Sequence, residues 1–412
     1  MKYGCIGEHL SHSFSKEIHN ALADYEYEIK EIPRDGLAAF ALGRDFLGIN
    51  VTIPYKELIM PYLDKIDEAA EKIGAVNTVV NRGGKLYGYN TDFYGMSELI
   101  RHAGISVKGK KVAILGGGGT SKTARAVFGA LGAKEIIRVS RRPDKTSVSY
   151  EELYRDHRDT EIIINTTPVG MYPEIDAAPI SLSGFDRLSG VLDAIYNPLC
   201  SRLIREAQVR GIPASGGLYM LVAQAVRASE IFLDVTYPTG TLDRVYKKIL
   251  SGKENIVLIG MPASGKSTVG KILSQKLSRE LFDTDDVIVA DTGYEIADIF
   301  ERHGEEYFRN LETDAVKKVG SGTARIIATG GGAILREENV EKLRQNGRLY
   351  FIDRPLYLLT PTSDRPTASD REKIEKRYRE RYGIYSSVCD KKIDGSLTPD
   401  EVANLIIEDF CK

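Results

Sequence analysis

The segment Gly260-Met-Pro-Ala-Ser-Gly-Lys-Ser267 constrains this chain more than any other. It has the spacing G-x-x-x-x-G-K-[ST], follows the apolar run Ile256–Ile259 and precedes a helical pattern from Thr268. Strand, glycine-rich loop and helix are the setting in which such a loop wraps phosphate. Its backbone N–H groups and the helix N-terminus attract anions. The spacing assigns Ala263, Ser264, Gly265, Lys266, Ser267 and Thr268 to a nucleoside triphosphate such as ATP, with Lys266 toward the β- and γ-phosphates and Ser267 toward Mg²⁺. About 250 residues come before the loop, room for one or two further domains.

The chain has 412 residues, 42% hydrophobic and 28% charged, a globular balance. Its formal net charge of −2 gives no bulk attraction to nucleic acid or to a membrane surface. Cys5, Cys200, Cys389 and Cys411 are scattered, with no C-x-x-C, so neither a disulfide framework nor a zinc site is expected. No apolar stretch reaches the ~18 residues of a membrane span, and Met1–Cys5 lacks a signal-peptide core. A reducing cytoplasm is the expected location. The early histidines His9, His12 and His19 lack supporting carboxylates at metal-ligand spacing and are expected to be structural or exposed.

Strand-like runs alternate with amphipathic helical runs: Lys111–Leu115, Glu135–Val139, Glu161–Ile164, Ile256–Ile259, Ile326–Ala328 and Leu349–Ile352. Such alternation predicts an α/β fold of parallel sheets with helices on both faces. The polar stretch Ser251-Gly252-Lys253-Glu254, after a helix expected at Thr241–Leu250, reads as a short linker.

A second glycine loop follows the strand Lys111–Leu115: Gly116, Gly117, Gly118, Gly119 and Thr120, with Ser121 at the third-glycine position and a helix expected over Thr123–Leu131. A dinucleotide's pyrophosphate would sit on that helix N-terminus. Roughly 20 residues on, where a carboxylate would hold a ribose 2′-hydroxyl, stand Ser140, Arg141 and Arg142. Two arginines there favour a 2′-phosphate and hence NADP(H); a solvated basic turn is the competing reading.

Motifs in order along the chain then carry a resemblance. Ser11-His-Ser-Phe-Ser-Lys-Glu-Ile-His-Asn20, Gly48-Ile-Asn-Val-Thr-Ile-Pro-Tyr-Lys56, Gly74-Ala-Val-Asn-Thr78 and Gly88-Tyr-Asn-Thr-Asp92 are followed by Asn165-Thr-Thr-Pro-Val-Gly-Met171, Tyr196-Asn-Pro198 and Gly216-Gly-Leu-Tyr-Met-Leu-Val-Ala-Gln224. This half resembles shikimate dehydrogenase. From Asn255 onward, the phosphate loop, Phe282-Asp-Thr-Asp285, Ile299-Phe300, Gly304-Glu-Glu-Tyr-Phe-Arg309, Glu312, Gly330-Gly-Gly332, Asp364-Arg-Pro366, Arg381 and Tyr385 resemble shikimate kinase.

The resemblance implies reduction of 3-dehydroshikimate by NADPH, then phosphorylation of shikimate by ATP with Mg²⁺. It makes Lys56 the proton donor and acceptor, paired with Asp92, a role that spacing alone would not give to a lysine. Ser13 and Ser15 resemble the hydroxyl pair that holds the substrate carboxylate, although either could cap a helix. Thr52, Asn77, Tyr196 and Gln224 match positions that bond the substrate's polar groups, and Gly217 falls to the NADP side. In the second half, Asp285 resembles the carboxylate facing the acceptor hydroxyl, and Asp283 the one that helps hold Mg²⁺. Arg309, Gly331 and Arg381 resemble the shikimate subsite, and Arg365 the lid arginine over ATP. Two departures stand out: Glu17 replaces a common proline, and Thr367-Ala368 replaces two large apolar residues after Arg-Pro.

The expected architecture is an α/β substrate lobe (1–95, with a returning segment 217–250), a Rossmann NADP lobe (96–216), the linker 251–254 and a P-loop kinase domain with a parallel sheet (255–412). The expected partners are small molecules: 3-dehydroshikimate, shikimate, NADPH and ATP. The oligomeric state is left open, a homodimer being one option. Two alternatives stand beside this reading: a dehydrogenase for quinate or another ring acid, and a kinase-like half that binds nucleotide only as a weak or regulatory module. Ser140–Arg142 speak against the first; Lys266, Ser267, Asp285, Arg309 and Arg381 speak against the second.

Overall fold

Every strand expected from the apolar runs is present, within a residue or two at its ends. The structure, a computed structural model, describes residues 1–10, 14–360 and 371–411. His12, Ser13, Arg365, Thr367 and Ala368 therefore lie outside the described residues. The chain divides into two compact units, Met1–Ile249 and Leu250–Lys412.

The first unit holds two sheets. Strands β1 (Tyr3–Gly7), β2 (Tyr27–Glu31), β3 (Gly48–Val51), β4 (Lys65–Ile66), β5 (Thr78–Arg82) and β6 (Lys85–Tyr89) pair in the order β2-β1-β3-β5-β6-β4. This sheet corrects the expectation of parallel pairing throughout. β5 runs antiparallel to both β3 and β6, and β5–β6 is a hairpin turned at Gly83 (φ 60°) and Gly84 (φ 84°). Two consecutive left-handed residues are what a two-residue hairpin loop requires. One face buries Ile6, Ile49, Val51, Val79 and Leu86.

Strands β7 (Lys111–Leu115), β8 (Glu135–Val139), β9 (Ile162–Asn165), β10 (Gly190–Asp193) and β11 (Ala214–Ser215) form an all-parallel sheet, order β11-β10-β9-β7-β8. The pleat sends Val112 and Ile114 to one cluster, Ala113 and Leu115 to the other, so both faces are covered. The helix Leu218–Leu233 serves both sheets. Its Tyr219 and Met220 join the core of the second sheet, while Phe232 packs with Cys5 and Tyr27 of the first. The segment 217–250 is thus shared by both lobes rather than belonging to the substrate lobe alone. His19 is buried, stacked on Tyr27 with ring centroids 3.9 Å apart. Burial pushes its imidazole down to about 3, so it is neutral.

The second unit has one all-parallel sheet, order β13-β14-β12-β15-β16, from β12 (Asn255–Ile259), β13 (Leu281–Asp283), β14 (Ile326–Ala328), β15 (Gly347–Asp353) and β16 (Lys391–Asp394). Val257 and Ile259 face one cluster, Ile256 and Leu258 the other.

Ser251–Glu254 is not a linker. The helix Thr241–Lys253 runs through it. Arg279 donates to the carbonyls of Ser251 and Glu254, Ala324 N donates to Lys253 O at 2.7 Å, and the Glu254 carboxylate takes Arg348 at 2.9 Å. Polar residues without local partners suggest a loop, but here the partners, Arg279 and Arg348, lie far along the chain.

Two outcomes follow. A piece beginning at Leu250 keeps these bonds and one beginning at Glu254 loses two of them. The shorter piece should melt lower by at least ~2 °C, the scale of 1 kcal/mol for a chain of this size. Equal melting temperatures would mean the contacts contribute nothing. The second outcome concerns Asp193, buried at the end of β10. It accepts from Ser201 Oγ at 2.6 Å, Ile195 N at 2.9 Å and Asn165 Nδ2 at 3.0 Å, none of them charged. Burial outweighs these donors and pushes its carboxyl from 3.8 up to about 7. Its folded value lies above its unfolded one, so folding takes up a proton in that window, and stability falls as pH rises through it and levels off above. Between pH 4 and 8 the stability difference should move toward Asp193→Asn by up to a few kcal/mol, at roughly 1.4 kcal/mol per pH unit. Urea midpoints across pH check this; a constant difference would mean another group titrates.

Candidate functional site

Both sites lie where strands end and glycine loops begin. In the first unit, β7 runs into Gly116–Gly118, and a helix starts at Gly119, earlier than the apolar pattern indicated. No side chain caps that helix. The hydroxyl of Ser121, at the third-glycine position, donates back to Gly116 O at 2.8 Å and closes the loop. A Cβ on Gly117 or Gly118 would meet nothing within 4 Å, so open space lies over them. A cleft of about 810 Å³ is lined by Gly116–Gly119, Thr120, Ser140, Arg141, Arg142 and Lys56. Arg141 and Arg142 are exposed, and neither guanidinium makes an ion pair among the described residues. Gly217 does not line this cleft. A Cβ there would stand 2.2 Å from Ala194 O, so close backbone packing accounts for it.

Lys56 stands at the edge of the cleft on the short helix Tyr55–Leu58. Its Nζ donates to Asp92 Oδ2 at 2.5 Å, with side chains 17% and 3% exposed. Its stem lies 3.9 Å from where a Cβ on Gly119 would be. Asp92 opens the helix Asp92–His102, where a carboxylate suits the helix dipole. Val76 N donates to Lys56 O at 2.8 Å, which brings Asn77 alongside. Asn77 Oδ1 accepts from Thr91 N at 2.7 Å, and its Nδ2 donates to Gln224 Oε1 at 3.4 Å. Thr52 is half-buried at the end of β3, its N–H on Ile6 O at 3.0 Å. Tyr196 is half-buried with its ring 5.2 Å from Phe14, next to Ser15 at the start of the helix Ser15–Leu22. Burial pushes the Tyr196 phenol up. The structure thus forms two bonded side-chain pairs, Lys56–Asp92 and Asn77–Gln224, brought together through the backbone of Val76 and Thr91, with Thr52 on the same segment as Lys56. The wall formed by Thr166, Thr167, Pro168 and Val169, with Tyr150, was not singled out for a role. Its signal was the position of Asn165-Thr-Thr at a strand's C-terminal end.

In the second unit the helix Lys266–Leu277 begins two residues before the apolar pattern. Lys266 is buried, and its ammonium donates to Gly260 O and Met261 O, both at 2.9 Å. Ser267 Oγ donates to Asp283 Oδ2 at 2.6 Å. The other Asp283 oxygen caps the helix Thr284–Thr292 by accepting from Asp285 N at 3.0 Å. Thr268 is exposed, while Ser264 is buried and its Oγ has no partner among the described residues.

Beside the loop, a cavity of about 40 Å³ is lined by Asp285, Arg309, Gly331, Arg381, Glu312 and Pro262, among others. Arg309 Nη1 pairs with Glu312 at 2.7 Å and Nη2 with Glu305 at 2.9 Å. Arg381 Nη1 and Tyr385 OH both donate to Gly331 O, at 2.9 and 2.5 Å. A Cβ on Gly330 would meet Glu312 Oε1 at 2.6 Å and Asp285 Oδ1 at 2.8 Å, which sets two carboxylates side by side over the glycines. Glu312 is buried and its Oε1 has no partner among the described residues. Burial pushes its carboxyl up, partly offset by Arg309. The sequence singled out Glu312 without giving it a role.

Residues 5–79 match the family model of the shikimate dehydrogenase substrate binding domain, and residues 262–411 that of shikimate kinase. A shikimate dehydrogenase (NADP(+)) of Clostridium perfringens is 36% identical over 271 residues, 60% of this chain and 97% of that protein. One from Clostridium beijerinckii is 38% identical over 56% of this chain and 91% of its own length. Among solved structures, shikimate dehydrogenase 1 from Peptoclostridium difficile superimposes with a TM-score of 0.56 at 37% identity, covering 60% of this chain and 98% of that one. A chorismate mutase/shikimate 5-dehydrogenase fusion protein from Clostridium acetobutylicum gives 0.57 at 33% identity, over 60% and 96%. A cleft with a lysine–carboxylate pair beside a glycine loop, followed by a second phosphate loop with its own acid- and arginine-lined cavity, agrees with both matches: the chain belongs to the shikimate dehydrogenase family and carries a shikimate kinase domain after it.

Proposed function

We infer that this chain is a bifunctional enzyme of the shikimate pathway, an NADP-dependent shikimate dehydrogenase joined to a shikimate kinase. It reduces 3-dehydroshikimate to shikimate and phosphorylates shikimate to shikimate 3-phosphate. The observation that carries the reading is Lys56, which bonds Asp92 while its stem lies against the glycine loop, so that proton donor and cofactor loop share one cleft. Fused dehydrogenases of this kind have a counterpart in the Clostridium acetobutylicum protein.

The first cleft fits NADPH: open glycines, an uncapped helix N-terminus and the cations Arg141 and Arg142 among its lining. When bound, NADPH supplies the hydride for the ketone carbon. Lys56 gives a proton from Nζ to the ketone oxygen as the C=O π bond opens, and recovers one from solvent. Asp92 orients the ammonium and bonds a ring hydroxyl. Ser13 and Ser15 hold the carboxylate, and Thr52, Asn77, Tyr196 and Gln224 hold the ring's polar groups. Site groups that bond a substrate hydroxyl are left unpaired when that hydroxyl is missing, which favours the complete substrate.

In the second unit the loop amides and Lys266 hold the phosphates of ATP. Ser267 and Asp283 form an adjacent pair of oxygen donors, suited to Mg²⁺, which would neutralise phosphate charge there. Asp285 accepts the hydrogen bond of the acceptor hydroxyl and takes its proton as the phosphoryl group arrives. Arg309 and Arg381 each carry N–H groups beyond those bonded to protein and hold the shikimate carboxylate, with Gly331 letting the ring approach. Arg365 is proposed over the nucleotide. The domains run as a substrate lobe near 1–95, a nucleotide lobe near 96–216 and a kinase domain from about Leu250.

The defining assay is on the intact chain. 3-Dehydroshikimate with NADPH should yield shikimate, and ATP with Mg²⁺ should then convert it to the phosphate ester; absence of the ester would remove the kinase half of the reading. Lys56→Ala should lower dehydrogenase kcat by about 10²–10⁴-fold, the contribution of a positioned acid–base group, and leave kinase kcat within error. A dehydrogenase rate within a few-fold of the parent would refute the role of Lys56. Asp285→Asn should abolish phosphorylation while nucleotide titration gives an unchanged Kd. Lost nucleotide affinity would reassign Asp285 to the ATP side.

A further inference from the structure

Residues 138–148 make a closed excursion at the end of β8. Ser140 N donates to Val148 O and Val148 N to Arg138 O, both at 2.9 Å, so two backbone bonds tie its base. Arg141 and Arg142 stand on its exposed turn and line the cleft. Inside the loop, Arg138 Nη2 donates to both Asp144 oxygens, at 2.6 and 2.5 Å, and to Thr146 Oγ1 at 2.7 Å. Arg138 Nε is buried with no acceptor among the described residues, while the Arg138 side chain as a whole is 27% exposed and that of Asp144 60%. Asp144 also accepts from Thr146 N and Thr146 Oγ1 at 2.8 Å and from Ser147 Oγ at 3.0 Å. The bonds from Thr146, then that from Arg138, hold its carboxyl far below the usual range, so it is an anion.

That anion is misplaced for a cleft that takes a 2′-phosphate. A free carboxylate on the loop of Arg141 and Arg142 would repel the phosphate and could accept a bond from an unmodified ribose hydroxyl. We propose that Arg138 and Asp144 are positioning residues that set the cofactor preference of this cleft: the pair fixes the loop with Arg141 and Arg142 toward the cleft, and Arg138 cancels the Asp144 charge. All three contacts are made by the one nitrogen Nη2, whose N–H groups serve the Asp144 carboxylate and the Thr146 hydroxyl. The proposal rests on the NADP reading above.

The test uses the full-length chain with saturating 3-dehydroshikimate, and NADPH or NADH varied. Arg138→Met should lower the ratio of kcat/KM for NADPH over NADH roughly tenfold or more, through KM for NADPH, with kcat within about twofold. Arg138→Gln keeps an N–H for the loop and loses only the charge, so it should fold and move the ratio the same way. Adding Asp144→Asn to either variant should restore most of the ratio, because the uncancelled charge is gone. Equal losses with both cofactors, an unmoved ratio, or a double variant no better than the single one would each overturn the proposal. A parent enzyme that uses NADH as well as NADPH would remove the NADP reading instead; a parent that prefers NADPH beside an unmoved Arg138→Met ratio removes only the role of the pair.

Discussion

Parallel pairing decides where chemistry can happen in this chain. In the second and third sheets every neighbouring pair of strands runs the same way. Each strand must then be reached by a crossover, and all strand C-termini open on one edge. β7 has β8 on one side and β9 on the other, so the chain leaves it in opposite directions. The crevice at that reversal is walled by Gly116–Gly119 on one side and Thr166–Val169 on the other. β12 lies between β14 and β15, and the same rule sets Pro262 of its loop against Gly331 after β14. Two unrelated reactions use one geometric device twice.

Much of this was legible because the relevant signals are local. The phosphate loop is a spacing within eight residues, and the strands of the parallel sheets are apolar runs that a doubly covered sheet requires. Apolar periodicity sets the helix starts too late, because Gly119 and Lys266 open their helices with a glycine and a cation that carry no apolar signal. Lys56 was beyond residue chemistry alone. Nothing in its neighbourhood in sequence announces Asp92, and only the motif set it apart. Ser251–Glu254 failed for a related reason: polarity is read locally, but Arg279 and Arg348 answer it from far along the chain. The hairpin turned at Gly83 and Gly84 was written in two adjacent glycines and was overlooked among the parallel runs.

Charge is handled differently inside and outside the sites. Lys122 and Glu57 form an exposed pair at 2.7 Å, 44% and 53% exposed, and such a pair contributes at most about 1 kcal/mol. Arg309 and Glu312 are 9% and 1% exposed, and deleting Arg309 would strand Glu312 at a cost of roughly 3–5 kcal/mol, whereas Arg309 without Glu312 would keep Glu305. The second kind of pair is therefore hard to alter one residue at a time, and it holds the Arg309 guanidinium in place. Stationary donors lose little entropy on binding, which is how a small rigid acid can be held tightly by few contacts.

Asp283 has a consequence of another sort. One of its oxygens takes the hydroxyl of Ser267 in the phosphate loop, and the other caps the helix whose first turn carries Asp285. A single carboxylate thus ties the phosphate loop to the helix that carries Asp285. Any ligand that draws on the first oxygen acts on the group that fixes the second, and thermodynamic linkage makes such an influence reciprocal. For two ligands that met this carboxylate from its two sides, the order of arrival would then be a property of how one side chain divides its two oxygens, and not of access alone.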